Sequence, residues 1–235
     1  MSPTVVKGQR SDVAVVIPVY NEATVIREVV ESVLCHYSVV ICVNDCSTDR
    51  SANEIRQTAA FLVDHPINMG QGGALQTGIE FVRLLPGIRY VVTFDADGQH
   101  RLEDVERMLD TIETQGTDFV LGSRFLGKEA LGMPWSKRLV LKAAVAFSNM
   151  TSGIRLTDTH NGLRVFTRRV AEEIELTMPD MAHASEFLEI IRRHSYTYVE
   201  VPVEIVYTDY SRRKGQSMIN AVNIAFDTIL RKLAR

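Results

Sequence analysis

Residues 91–100 read VVTFDADGQH. Val91 to Phe94 are apolar or β-prone and run straight into Asp95-Ala96-Asp97, as buried strands do at their C-terminal ends. Two carboxylates one residue apart do not hide in a core without a compensating cation. Gly98 permits a turn, and Gln99 and His100 add oxygen and nitrogen groups beside it. Asp95, Asp97 and Gln99 are therefore candidate ligands of a hard divalent cation that would in turn hold phosphate oxygens. A solvated Asp-Gly turn capping the helix that starts at Leu102-Glu103-Asp104-Val105 is the competing account.

The same grammar repeats upstream. Val13 to Ile17 is a near-continuous apolar run, as in a strand buried on both faces, and Pro18 is predicted to end it ahead of Asn21-Glu22. A helix is predicted over residues 23–33, with Val25, Ile26, Val29, Val30 and Val33 at helical spacing. A second strand over 39–43 stops at Asn44-Asp45-Cys46-Ser47-Thr48-Asp49, where Ser47, Thr48 or Asp49 can cap a helix reaching residue 60. Phe61-Leu62-Val63 reads as a third strand, and residues 68–73 (NMGQGG) as a loop opening a helix over 74–85. That loop is neither a GxGxxG fingerprint nor a P-loop; its glycine amides either face an anion at the helix start or form a tight turn. Strands and helices alternating at crossover spacing predict an α/β fold, a Rossmann-like, mostly parallel sheet flanked by helices. Ligands of such sheets lie beyond the C-terminal strand ends, and three of those ends carry Glu22, Asp45 and Asp95/Asp97.

Downstream, a helix over 102–114 and a fifth strand over 118–123 lead to Arg124, whose guanidinium suits a phosphate. Residues 125–135 read as a loop and 136–150 as a helix. Residues 153–163 are dense in polar groups, including Arg155, Thr157, Asp158, Thr159, His160 and Asn161. A strand over 163–167 and helices over 168–174 and 184–193 follow, broken at Pro179-Asp180. Glu186 lies on or beside the apolar face of the last helix, where a solvated or salt-bridged glutamate is the plain alternative to a catalytic one. Residues 197–207 (TYVEVPVEIVY) alternate, predicting an antiparallel or edge strand containing Pro202. Ser211 to Ser217 is a basic loop. Met218 to Leu233 is an amphipathic helix whose stripe packs on the domain, lies on a membrane surface or meets a partner helix.

The 235 residues, 46% hydrophobic and 23% charged, suffice for one well-cored domain. A net charge of −3 gives no reason to expect nucleic acid as a partner. The charge is divided unevenly: −8 over residues 1–120 and +5 over 121–235. A basic half beside an acidic metal site suits an anionic substrate or a membrane surface. Cys35, Cys42 and Cys46 form neither a disulfide framework nor a strong zinc pattern, which points to a reducing compartment. With no signal-peptide core and no membrane span in the sequence, a cytoplasmic protein, peripheral at the inner membrane face, is expected.

Five motifs then occur in a telling order: IPVYNE (17–22), VNDCSTD (43–49), NMGQGGALQTG (68–78), DADGQH (95–100) and GSR (122–124). The chain resembles the family 2, GT-A-fold glycosyltransferases. DTHNGLRVF (158–166), ASEFLE (184–189) and RRKGQS (212–217) are similar to the dolichyl-phosphate mannose synthase branch and its bacterial polyprenyl-phosphate relatives. The resemblance implies a single catalytic domain over 1–235, with a nucleotide-sugar part (1–124) and an acceptor-side part (125–235). It implies that Pro18, Tyr20, Asn21 and Glu22 border the base and ribose, and that Asp45 contacts the base. Asp95 and Asp97 would bind Mg2+ or Mn2+ and the diphosphate, with Gln99 completing the metal shell. Arg124 would meet phosphate in the transfer site, and Arg212 would close over donor or acceptor phosphate. The sequence departs from the family pattern in Asn44 where a second acid is usual, in Cys46 where glycine is usual, and in Met218 where lysine is frequent. Some relatives carry transmembrane helices and others borrow a membrane protein, so a separate small transmembrane partner is among the expectations.

The implied reaction is inverting transfer from a GDP-, UDP- or dTDP-linked sugar to a polyprenyl phosphate. The alternative acceptor is a glycan hydroxyl in cell-surface polysaccharide synthesis. An ionised phosphate needs no base, whereas a hydroxyl does, and Asp158 and Glu186 are the candidates for that role. A nucleotide-binding scaffold without catalysis is the reading from another class, motivated by Asn44 and Cys46 alone.

Overall fold

The computed structural model describes residues 8–126, 145, 149, 153–159, 161–178 and 182–206. Most of the helix expected over 136–150, His160, the Pro179-Asp180 break, Arg212 and the C-terminal amphipathic helix lie outside them. The described chain forms a seven-stranded sheet in the order β3-β2-β1-β4-β6-β5-β7. Its strands are β1 (Arg10–Val19), β2 (Tyr37–Asn44), β3 (Phe61–Asp64), β4 (Tyr90–Thr93), β5 (Phe119–Ser123), β6 (Arg164–Thr167) and β7 (Tyr198–Pro202). Between them run α1 (Ile26–Leu34), α2 (Ser51–Ile55), α3 (Gly70–Arg83), α4 (Leu102–Gln115), α5 (Arg168–Glu173) and α6 (His183–Arg193).

The period of two in β1 explains the layering. Val13, Val15, Ile17 and Val19 face a core shared with Val29, Val30, Ile55, Val105 and Met108, so α1, α2 and α4 cover one face. Ala14 and Val16 face a second core with Leu75, Ile79, Val170 and Phe187, so α3, α5 and α6 cover the other. A Cβ at Gly78 would collide with the Val16 side chain; glycine there lets α3 lie close on β1.

Three local expectations change. Pro18 does not end β1 but sits inside it, opposite Val43. Val16 sends its carbonyl to Phe94 N (3.0 Å), so Pro18, of the same parity, turns its missing donor to the side where β4 pairing has already stopped at Thr93. The helix expected to reach residue 60 ends at Ile55. Asp49 helps start it from outside, accepting Ser51 N at 2.9 Å. β7 is an edge strand, as one alternative had it, but it runs parallel to β5, and Pro202 occupies its last position.

The sheet is parallel except for β6, which runs antiparallel between β4 and β5. The entrance to β6 lies at the same sheet edge as the exits of β4 and β5, so Asp158 meets Arg124 and Gly162 meets Asp95.

Candidate active site

The exits of β1 and β2 are stitched to each other. Asn21, at φ +56, accepts Thr48 N with its side-chain oxygen (2.8 Å) and donates its own N–H to Ser47 Oγ (3.0 Å). Glu22 N donates to Ser51 Oγ (2.8 Å), and Ala23 N to Asp49 Oδ2 (3.0 Å). Glu22 is buried, Pro18 half-buried and Tyr20 exposed. These are the residues expected to border the base and ribose, and they form one rim.

Asp45, expected to contact the base, is buried and turned inward. His65 Nδ1 lies 2.8 Å from Oδ1, Met69 N donates to Oδ1 (2.8 Å) and Gly70 N to Oδ2 (2.8 Å). The amides that open α3 thus do face an anion, and it is the chain's own carboxylate. His65 Nε2 continues the chain of hydrogen bonds to the Thr77 hydroxyl at 2.9 Å. Beside it, Asn44 donates to Asp64 Oδ1 (2.8 Å), where a second acid would have set carboxylate against carboxylate.

Asp95 and Asp97 leave β4 into different surroundings. Asp95 is met by His100 Nε2 at 2.9 Å on Oδ2 and by Gln71 Nε2 at 3.1 Å on Oδ1. Gly162 packs so close that a Cβ there would clash with both carboxylate oxygens. Burial alone would raise the Asp95 pKa, but the His100 hydrogen bond and the electrostatic influence of His100, Arg164 and His183 hold it below the usual carboxylate range. Asp97 receives less of that support. Burial, then the Asp95 charge, with Glu22 adding to it, push its pKa up to about 6. Its Oδ1 accepts Gln99 N at 3.0 Å.

A divalent cation would relieve this uneven pair. Among the described residues no group of three or more His, Cys, Asp or Glu is placed to hold a metal. Asp95 and Asp97 are hard oxygen donors, the kind that suits Mg2+ or Mn2+ when phosphate oxygens and water supply the other ligands. Gln99, expected as the third ligand, contributes its backbone here: N–H to Asp97 and carbonyl to Val206 N at 2.9 Å.

Arg124 leaves β5 into a bidentate grip by Asp158: Nε to Oδ2 at 2.6 Å, Nη2 to Oδ1 at 2.8 Å, with Arg124 N also donating to Oδ2 at 3.1 Å. Glu186, the other candidate base, is buried and closes a different loop. Its Oε1 accepts Thr177 N (2.8 Å) and the Thr177 hydroxyl (2.6 Å), and its Oε2 accepts Met178 N (2.9 Å).

Sequence reasoning passed over Arg164, Gln71 and Gly162, and left His100 outside the ligand set. Arg164 is buried over the Phe187 ring (4.7 Å). Desolvation lowers its pKa to about 10, against the pull of Asp95 and Asp158, so it stays charged at neutral pH. It is a buried protein cation under the electrostatic pull of both Asp95 and Asp158. A lone arginine in the apolar run LRVF was the signal for it.

Residues 14–175 match the family described as Glycosyl transferase family 2. The chain belongs to that family. An uncharacterised protein of Methanocaldococcus jannaschii is 32% identical over 95% of this chain and 93% of its own length. The UDP-N-acetylglucosamine–dolichyl-phosphate N-acetylglucosaminyltransferase of Methanococcus voltae is 28% identical over 94% of this chain and 96% of its own. The polyprenol monophosphomannose synthase of Mycolicibacterium smegmatis is 28% identical over 89% and 82%. Among solved structures, glucosyl-3-phosphoglycerate synthase from Mycobacterium tuberculosis, in complex with Mn2+, uridine diphosphate and phosphoglyceric acid, superposes with a TM-score of 0.71. It is 16% identical and covers 95% of this chain and 78% of that one, a GT-A-like fold. The chain is a family 2 glycosyltransferase, and its relatives include transferases to dolichyl and polyprenyl phosphates. The separate transmembrane partner has no support among these findings and is set aside. Among the described residues no helix is long and apolar enough to cross a membrane.

Proposed function

We propose that the protein is an inverting, divalent-metal-dependent glycosyltransferase that moves a sugar from a nucleotide-sugar donor to a polyprenyl, dolichyl-type phosphate at the inner membrane face. Residues up to 124 serve the donor and those beyond it the acceptor. The observation that carries the choice of acceptor is the commitment of both candidate bases. Asp158 is spent on Arg124, and Glu186 on Thr177 and Met178. A hydroxyl acceptor needs a carboxylate to take its proton; an acceptor phosphate is already an anion and needs only a cation to place it.

In this reading the rim of Pro18, Tyr20, Asn21 and Glu22 borders the nucleoside. Asp45, locked by His65 and the α3 amides, shapes the floor of that pocket. Asp97 and Asp95 would hold the Mg2+ or Mn2+, which when bound stabilises the charge growing on the diphosphate. Arg124, oriented by Asp158, meets the acceptor phosphate, and Arg212 closes over the phosphates. An acceptor phosphate oxygen attacks the anomeric carbon opposite the leaving diphosphate. The new C–O bond forms as the old one breaks, and its electron pair leaves on the nucleoside diphosphate. No proton changes hands, and the anomeric centre inverts. Residues 211–235, basic and amphipathic, bring the domain to the interface.

The test is incubation of the full chain with UDP-, GDP- and dTDP-linked sugars, Mn2+ and farnesyl phosphate, with products resolved by mass. A glycosyl phosphate lipid of inverted configuration is expected from one donor. Nucleotide binding without any lipid product, alongside transfer to a glycan hydroxyl, would overturn the acceptor assignment.

A further inference from the structure

Arg124 does not hold its own position, and the grip of Asp158 on it raises the question of what holds Asp158. Residues 157–158 belong to an irregular segment ahead of β6, and such a segment has no ladder to fix it. The amides of Thr157 and Asp158 instead end on one side chain 42 or more residues away. Glu200 of β7 receives Thr157 N at 2.9 Å on each of its oxygens, the Thr157 hydroxyl at 2.9 Å and Asp158 N at 3.1 Å. The Thr157 hydroxyl also meets Ser123 Oγ at 2.6 Å, at the strand end from which Arg124 departs. Glu200 is itself placed by the β5–β7 ladder, opposite Leu121.

We infer that Glu200 is a positioning residue for acceptor-phosphate recognition, acting through Thr157 and Asp158 on Arg124. The carboxylate is needed as an acceptor only. Oε1 accepts Thr157 N, the Thr157 hydroxyl and Asp158 N, and Oε2 accepts Thr157 N, so a glutamine would turn an NH2 toward at least one N–H donor. Burial first, and the nearby Asp158 charge, raise the Glu200 pKa above the usual carboxylate range, and the hydrogen bonds from Thr157 and Asp158 offset part of that rise. β7 continues into a second attachment that does not depend on Glu200. Glu204 N donates to Asp104 Oδ2 (2.8 Å) and Val206 N to Gln99 O (2.9 Å), tying the same strand to the start of α4 and the metal-side loop. Loss of the Glu200 carboxylate should therefore loosen the acceptor side and spare the donor side.

The activity arm rests on the polyprenyl-phosphate reading, so a second arm reads Arg124 directly. In full-length protein carrying labelled arginine, the Arg124 Nε–H signal, assigned with Arg124→Lys, is expected at low field and slow to exchange because of its bond to Asp158. In Glu200→Gln it moves toward free guanidinium values and exchanges faster. The KM for farnesyl phosphate rises roughly tenfold, the scale of a lost charge-assisted hydrogen bond. The affinity for nucleotide with Mn2+, by calorimetry, stays within about twofold, well short of one such bond. Glu200→Asp is expected to recover part of the signal and part of the KM. If Glu200→Gln fails to fold by circular dichroism, Thr157→Ala, which keeps the amide but loses the hydroxyl, serves as the milder probe with the same direction of change. An unchanged Arg124 signal in the folded variant overturns the inference. So does an equal loss of nucleotide affinity, which would make Glu200 a general structural residue. Absence of transfer to farnesyl phosphate by the wild type would instead count against the acceptor reading, and the Arg124 signal would still decide the role of Glu200.

Discussion

The two halves of the site balance charge in opposite ways. On the donor side, β1, β2 and β4 deliver Glu22, Asp45, Asp95 and Asp97 to one edge within the first 97 residues, and the chain neutralises them incompletely. Asp45 is met by backbone amides and a histidine, and Asp95 by His100 and Arg164, while Asp97 is left under the repulsion of Asp95 and Glu22. On the acceptor side the cation is supplied by the protein: Arg124 closed against Asp158, with Glu200 holding the segment from a third strand. In the proposed reading the donor half is a site that a metal ion would complete, and the acceptor half is a place prepared for an anion. That difference matches a reaction in which a diphosphate departs from one side and a phosphate arrives on the other.

The largest effect should come from the unbalanced carboxylate. Asp97→Ala is expected to lower turnover by roughly three orders of magnitude, the several kcal/mol that a metal contributes to a developing charge. The fold should survive, since removing Asp97 also removes a repulsion. Gln99→Ala should cost less, because a neutral amide offers one dipolar ligand. Turnover across a Mn2+ titration checks both. Chelator-resistant activity in Asp97→Ala would erase the contrast between the halves.

Asp158→Asn separates the two roles that sequence left open for this residue. Asp158 is fully buried and Arg124 only 15% exposed at its side chain, so losing the pair should cost about 2–3 kcal/mol of stability, the low end for a broken buried pair because Arg124 retains some solvent. The KM for acceptor should rise, and the pH dependence of kcat should keep its shape. A catalytic base predicts the reverse: kcat falls, the acidic limb of its profile disappears, and acceptor KM stays put.

Much of the donor half was legible because parallel strands buried on both faces read as unbroken apolar runs and their ends carry the polar residues. Val13 to Ile17, the run before Asn44 and the run before Asp95 all announced themselves. Strand limits were less visible: Pro18 belongs to β1 because its neighbour β4 has already ended, a fact about another strand. The acceptor half was legible only as a list of polar residues. Arg124 and Asp158 stand 34 positions apart, and Asp158 and Glu200 stand 42 apart; nothing local says that an antiparallel β6 brings them to one edge. Glu186 became a candidate base because its segment resembles the family's acceptor side, and its commitment to Thr177 and Met178 depends on how the loop before α6 returns. Long-range pairing also decided that β7 runs parallel to β5.

A smaller effect tests the donor-side departures. Asn44→Asp restores the acid pair usual in the family, but it places a carboxylate 2.8 Å from Asp64, where Asn44 now donates. The exchange should cost about 1–3 kcal/mol at neutral pH, the penalty for a buried group facing an unsuitable partner. The new carboxyl would have a folded-state pKa above its unfolded one, so its destabilisation grows as pH rises and fades as pH falls through the carboxylate range. Denaturant melts at pH 4.5 and 7.5 check the sign. A variant as stable as wild type at pH 7.5 would mean that Arg56, paired with Asp64 at 2.6 Å, absorbs the second charge.

The smallest expected effect belongs to Cys46. Its φ of +58 lies in the left-handed region, where a Cβ costs about 1–2 kcal/mol and glycine is at ease. Glycine gives back roughly 0.5–1 kcal/mol through the entropy of the unfolded chain. The weak contact of Cys46 Sγ with Pro66 O, at 3.7 Å, adds little. Cys46→Gly should therefore raise the melting temperature by only about 1–3 °C. Cys46→Val, β-branched at the same φ, should lower it by more than that, because branching makes the left-handed conformation a true outlier. The pair of variants sharpens the comparison between halves. The turn at 44–47 is held by Asn44, whose Oδ1 accepts Ser47 N at 3.3 Å, and by Ser47 reaching back to Asn21. If Cys46→Gly stabilises the fold and leaves nucleotide affinity unchanged, that rim is positioned by its hydrogen bonds and the cysteine is a tolerated strain. If nucleotide affinity falls by tenfold or more, the strained residue itself shapes the donor pocket, and the donor half depends on a side chain as the acceptor half does on Glu200.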